Sequence, residues 1–145
     1  GGRDMKRSAS ARWTGGIKDG SGALTTDSGV LDGTQYSFST RFESGIGSNP
    51  EELIAAAHAG CFSMALSGFL GSAGHAPKTI ETKATVTIKK EDLGFSIGGV
   101  HLDVTVDVPG MYEETFRKAA TKAKEGCPVS RALSVPITMD ARLAT

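Results

Sequence analysis

Asn49-Pro50-Glu51-Glu52-Leu53-Ile54-Ala55-Ala56-Ala57-His58-Ala59-Gly60-Cys61-Phe62-Ser63-Met64-Ala65-Leu66 is the stretch from which the fold can be read. Asn49 is a good N-cap, Pro50 suits the first helical position, and Glu51 and Glu52 suit the positive end of a helix dipole. Glu52 stands three residues after Asn49, the capping-box position. From Leu53 to Leu70 the stretch carries no acidic or basic residue except His58. The pattern predicts one long apolar helix to about Leu70, ending near Gly71 or Gly74. Its length raises the question of a membrane span. Richness in Ala, Gly and Ser, in an otherwise amphipathic chain, argues for a buried core helix, so no membrane partner is expected.

Upstream, the sequence reads as short strands. Ala9 to Trp13 is a candidate edge strand, Gly20-Ser21-Gly22 and Asp32-Gly33 mark turns, and Tyr36 to Thr40 alternates at period two. A glycine- and serine-containing loop, Ser44 to Ser48, leads into the helix. Downstream of Pro77, Thr82, Ala84, Val86 and Ile88 share one strand face. Val100, Leu102, Val104, Val106 and Val108 share another, with Gly94 and Gly98-Gly99 between or within them. The expectation is a hairpin with a bulge, stopped by Pro109-Gly110. A second helix, about Tyr112 to Lys124, would bury Phe116, Ala119, Ala120 and Ala123 and end at Gly126 as C′ residue. A short helix near Pro128 and a strand from Val135 to Leu143 follow. With no repeat or linker, residues 1–145 read as a single α+β domain.

Composition excludes several classes. Sixteen Lys and Arg balance sixteen Asp and Glu, so the chain lacks the basic field that nucleic acid would require. The N-terminus is polar, with no apolar signal segment; Met5 is expected to be the native start, with residues 1–4 an extension added ahead of it. Two cysteines without a secretion signal point to a reducing compartment and a cytoplasmic location. There a cysteine pair is more often catalytic or redox-sensing than structural. His58, His75 and His101 show no metal-ligand spacing with the cysteines, and no phosphate-binding loop follows a strand. No metal and no bound cofactor are expected.

Chemistry therefore rests on thiols. Cys61, mid-helix, reads from its setting as a buried apolar thiol. Cys127 lies where one helix ends and another begins, so the dipole favours its thiolate, and the residues alone nominate it as the more reactive. His58 lies one turn before Cys61 on the same face. It is open to two readings: the base of a Cys–His hydrolase dyad, or a hydrogen-bonded core histidine.

Thr40-Arg41-Phe42-Glu43, the Asn49 to Leu66 block and Gly126-Cys127-Pro128-Val129-Ser130 resemble the defining segments of the OsmC family, in its osmotically inducible branch, related to organic hydroperoxide resistance proteins. Ser28 to Leu31, Tyr36 to Phe38 and Pro109-Gly110 resemble that branch too, and the likeness runs from Ser8 onward. The resemblance implies antiparallel sheets packed around a long central helix, in an intertwined homodimer with sites at the interface. It implies an organic hydroperoxide reductase in which Cys61 is the peroxidatic thiolate, passing through a sulfenic acid, and Cys127 the resolving thiol. Arg41 would stabilise the Cys61 thiolate and the peroxide, with Glu51 orienting Arg41. The implied reductant is an external dithiol, a lipoylated protein or dihydrolipoamide. The family thus reverses the ranking of the two cysteines reached from the residues.

On one straight helix Glu51 and Cys61 stand about 15 Å apart along the axis and point roughly 80° apart. Either Arg41 spans part of that gap or Glu51 serves a second subunit's site. The apolar helix suits a hydroperoxide with an apolar tail better than hydrogen peroxide. Three other functions remain open to test: a thiol hydrolase using Cys61 and His58, a stress-response binding protein with unreactive thiols, and a redox sensor using the same thiol pair.

Overall fold

The computed structural model describes residues 4–43 and 45–144, so Ser44, the first residue of the expected loop, and residues 1–3 of the expected leader lie outside it. The chain gathers into two compact units, residues 1–53 and 54–145.

The first unit holds a three-stranded antiparallel sheet, β1 (Ala9–Thr14), β2 (Ser21–Thr26) and β3 (Thr34–Tyr36), in that spatial order. Strand β1 is the predicted edge. Gly22 belongs in β2 because the Tyr36 ring from β3 lies where a Cβ would project. The alternating run from Tyr36 to Thr40 does not continue as a strand. It breaks at Tyr36 and forms a helical turn, α1 (Ser39–Phe42). The cause is local. The Ser37 amide donates to the Thr40 hydroxyl, whose single proton is shared between the Ser37 and Ser48 carbonyls, 2.8 and 2.7 Å away. Such side-chain bonds give the backbone an alternative to the ladder.

Helix α2 (Pro50–Ser72) begins as predicted, with the Glu52 amide donating to Asn49 Oδ1 at 2.7 Å. The capping box is only half made. Glu52 does not return to the Asn49 amide but accepts the Ser48 hydroxyl at 2.7 Å. Asn49 is held from its other end, its Nδ2 donating to the Thr40 carbonyl at 2.9 Å.

The second unit is built on the hairpin of β4 (Thr79–Glu91) and β5 (Gly94–Asp107), with its bulge between Thr87 and Ile88. Val100, Leu102, Val104 and Val106 form the buried face of β5, continued by Val108 just beyond it. They share a core with Phe62, Leu66 and Leu70, spaced four apart on α2, and with Phe116, Ala119, Ala120 and Ala123 of α3 (Glu113–Gly126). Helix α2 is long and apolar enough to cross a membrane, with 22% of that stretch buried. Its buried stripe is the core of this unit.

Two expectations are corrected here. The last strand, β6 (Ile137–Leu143), pairs parallel with β5, so this sheet is mixed rather than wholly antiparallel. A helical crossover through α3 and α4 (Pro128–Ala132) returns the chain to the middle of β5, where Ile137 pairs with Val100, in the same direction, and parallel pairing needs such a connection. Gly126 is not a C′ residue but the last residue of α3; the break falls at Cys127, with ψ 132° and its amide bonded to the Ala123 carbonyl. Pro128 bars the residue before it from helical conformation, which places the turn there.

Candidate active site

In the first unit the structure brings together Arg41, at the end of α1, and Glu51, in the first turn of α2. Arg41 Nε donates to Glu51 Oε1 and Oε2 at 3.0 and 3.2 Å, and its terminal nitrogen donates to Oε2 at 2.6 Å. The side-by-side geometry fixes the guanidinium plane as a single-point contact would not. Glu51 is buried and Arg41 about one-third exposed. Hydrogen bonding from Arg41 holds the Glu51 carboxyl below the usual carboxylate range, against the opposite pull of burial. The reciprocal bond keeps Arg41 firmly protonated. The pairing lies within one chain.

A groove of about 290 Å³ opens beside this pair, lined by Trp13, Ile17, Tyr36, Ser37, Phe38, Arg41 and Pro50. Its wall is largely apolar, with the Trp13 and Tyr36 rings 5.7 Å apart. A cation at the edge of an apolar groove can hold the polar end of a molecule whose tail is greasy. The sequence reading did not single out Trp13 and Ile17; an exposed aromatic on an edge strand carries no signal until the groove is seen.

In the second unit the structure brings Cys61 and Cys127 together. Both are free thiols, Cys127 fully buried and Cys61 partly exposed. The two thiols lie close enough to perturb each other's ionisation. Cys127 caps α4, accepting the Ser130 amide at 3.5 Å. Burial pushes the Cys61 thiol up; the Val129 amide offsets this in part, and the facing Cys127 adds to the rise. Burial pulls Cys127 the same way but is outweighed by donors from the Ser130 amide, the Cys61 thiol, the Ser130 hydroxyl and the Val129 amide, so its thiol sits below the ordinary range. Within this unit the surroundings of Cys127 favour its thiolate, while those of Cys61 oppose it.

His58 is fully buried, and its ring meets Ser130 rather than Cys61, with Nε2 to Oγ 2.7 Å. Its Nδ1 has no hydrogen-bond partner among the described residues. Burial lowers its pKa, so the ring is neutral at pH 7. Ser130 was quoted in the Gly126 to Ser130 segment without a role. Its place three residues after a capping side chain is the signal that finds it. No cluster of three or more metal-ligating side chains occurs among the described residues.

Comparison with known proteins gives a consistent answer. The family model for OsmC-like proteins matches residues 43–141. Peroxiredoxin OsmC of Escherichia coli strain K12 is 51% identical over 139 residues, covering 96% of this chain and 97% of that protein. The organic hydroperoxide resistance protein OhrB of Bacillus subtilis is 31% identical over 112 residues, covering 77% and 80%. The crystal structure of OhrB matches this chain with a TM-score of 0.71 at 28% identity, over 93% and 98% of the two chains. An OsmC-like protein from Mycoplasma pneumoniae matches with a TM-score of 0.78 at 14% identity, over 99% and 100%, a likeness of fold alone.

Proposed function

The chain belongs to the OsmC family, and from that premise we propose that it is a two-cysteine peroxidase that reduces organic hydroperoxides to alcohols. The observation that carries this reading is the proximity of two free thiols in one core, Cys61 partly exposed and Cys127 buried, each influencing the other's ionisation. Two neighbouring thiols are what a cycle through an intramolecular disulfide needs.

In the proposed cycle the Cys61 thiolate attacks the distal peroxide oxygen. The O–O bond breaks, the alkoxide takes a proton and leaves as alcohol, and Cys61 becomes a sulfenic acid. Cys127 then attacks the Cys61 sulfur, forming a disulfide as the S–O bond breaks and water departs. An external dithiol, a lipoylated protein or dihydrolipoamide, returns both cysteines to thiols and is itself oxidised. Burial alone disfavours ionisation of Cys61, so the proposal assigns Arg41 to supply the opposing charge and Glu51 to orient it. The groove beside Arg41 supports a substrate with an apolar tail.

A homodimer is part of the same proposal. Met64 is 78% and Phe69 38% exposed on α2, apolar surface that a second copy would cover. A stable, fully active monomer in sedimentation would contradict it.

The decisive experiment is titration of the reduced protein with cumene hydroperoxide, counting free thiols and weighing the product. Loss of two thiols per peroxide, abolished in Cys61→Ser and replaced by a trapped sulfenic acid in Cys127→Ser, is the expected result. Unchanged thiols under excess peroxide would refute the reading. A disulfide that forms once but is not turned over by dihydrolipoamide would favour a redox sensor.

A further inference from the structure

His58 and Ser130 have no part in the cycle above, yet both are buried, and His58 meets Ser130, whose amide donates to the Cys127 sulfur. The Ser130 amide donates to Cys127 Sγ at 3.5 Å, and the Ser130 hydroxyl lies near enough to that sulfur to favour the thiolate. That hydroxyl also meets His58 Nε2 at 2.7 Å. A serine has one proton to give. If Nε2 is bare, the proton goes to the ring and the sulfur loses a donor. If Nε2 carries the hydrogen, the ring donates to Oγ and the hydroxyl proton turns to Cys127.

Two arguments select the second arrangement. With Nε2 bare, the ring's proton sits on Nδ1, which has no partner, and a buried N–H without an acceptor is costly. With Nε2 protonated, the orphan is only a lone pair. A donor aimed at a thiolate also makes a charge-assisted bond, about twice as strong as a neutral one. The ionisable groups sharing this chain of hydrogen bonds are His58 and Cys61, both on α2; α4 contributes the Ser130 hydroxyl and two amides.

We propose that His58 is a positioning residue for the resolving thiol: its Nε2–H fixes the Ser130 hydroxyl so that its proton points at Cys127 Sγ and holds that sulfur as a thiolate ready to attack. This rests on the peroxidase reading for the step it serves, though not for the hydrogen-bond relay itself. In that step the Cys127 thiolate forms the S–S bond, and the S–O pair leaves Cys61 as hydroxide. The hydroxide takes a proton from solvent, matching the one Cys127 lost on ionising.

The test uses full-length protein carrying Cys61→Ala, so that one thiol remains, and follows thiolate absorbance at 240 nm against pH. In this background Ser130→Ala and His58→Leu should each raise the Cys127 titration by about one pH unit, a tenfold loss of thiolate at a fixed pH below it. Ser130→Thr, which keeps the hydroxyl, and His58→Gln, which keeps an N–H near the Nε2 position, should stay near the parent. Ser130→Ala is the smaller change and guards against a folding defect in His58→Leu, with circular dichroism as the check. An unmoved titration in both truncations overturns the proposal. So does a shift in Ser130→Ala alone with His58→Leu folded. If the two-cysteine protein never consumes peroxide, the peroxidase reading fails, while this titration still decides the relay.

Discussion

Replacing Glu51 by Gln removes one charge from a side chain that is 8% exposed and leaves Arg41, 31% exposed, with a neutral partner. Breaking a fully buried ion pair costs about 3–5 kcal/mol, whereas an exposed pair contributes at most about 1 kcal/mol. This pair stands between those limits. The Gln oxygen can still accept one of the guanidinium bonds, which places the expected loss at about 2 kcal/mol. In a domain of this size that is a fall in Tm of about 6–8 °C. The pH dependence has a definite sign. Arg41 holds the folded-state pKa of Glu51 below its unfolded value, which is about 4.3. The pair's stabilisation is therefore complete above that value and is lost as pH falls through the folded pKa. Gln binds no proton, so the gap between parent and variant should be full at pH 6–7 and close progressively below about pH 4. Urea denaturation at four or five pH values reads the gap directly, and cumene hydroperoxide turnover at neutral pH reports the loss of an oriented guanidinium. A gap of the same size at pH 3 and pH 7 would show that the loss is not electrostatic, and the account of this pair would be wrong.

Trp13→Ala should raise KM for cumene hydroperoxide about tenfold, through lost aromatic burial, while leaving hydrogen peroxide kinetics unchanged; an equal effect on both would remove the groove from the substrate path. Gly47→Ala should destabilise the first unit by about 2–3 kcal/mol in urea melts, because Gly47 has φ +112° and a Cβ would lie 2.2 Å from the Gln35 carbonyl oxygen. Leu66→Ala, at a fully buried position, should cost about 2–5 kcal/mol without changing thiol reactivity; a loss under 1 kcal/mol would mean the site collapses to fill the space.

The elements legible in the sequence were those whose signals are local and agree with one another. Helix α2 shows its start in Asn49, Pro50 and Glu51, and the hairpin shows its core face in five alternating apolar residues; both stand as read. The misreadings fall where a non-local or side-chain interaction decides. Tyr36 to Thr40 alternates like a strand, but the bonds between Ser37 and Thr40 turn it into a helix. Gly126 looks like a helix stop, but Pro128 moves the break by one residue. Parallel pairing of β6 follows from the crossover and leaves no mark in the strand itself. Among candidate site residues, the two cysteines could be singled out as thiols, whereas Arg41, Glu51 and the peroxidatic role of Cys61 entered only through the resemblance to the family. Ser130 could not be given a role, since its partner His58 lies on another helix far away in sequence.

The two thiols differ in ways that suit different steps. Lowering a thiol's pKa weakens it as a nucleophile and improves it as a leaving group. Cys127, buried and surrounded by donors, is the better leaving sulfur. Cys61, accessible and more basic, is the better target for an incoming dithiol and the stronger nucleophile once ionised. Reduction of a Cys61–Cys127 disulfide by attack on Cys61 would then expel Cys127 as the thiolate its surroundings already favour. In the proposed cycle, attack on peroxide by Cys61 needs a charge that favours the anion against burial, the part proposed for Arg41. The residue-based ranking and the family assignment thus answer different questions. The first asks which sulfur ionises more readily in its pocket. The second asks which sulfur, once ionised, can be reached and will react.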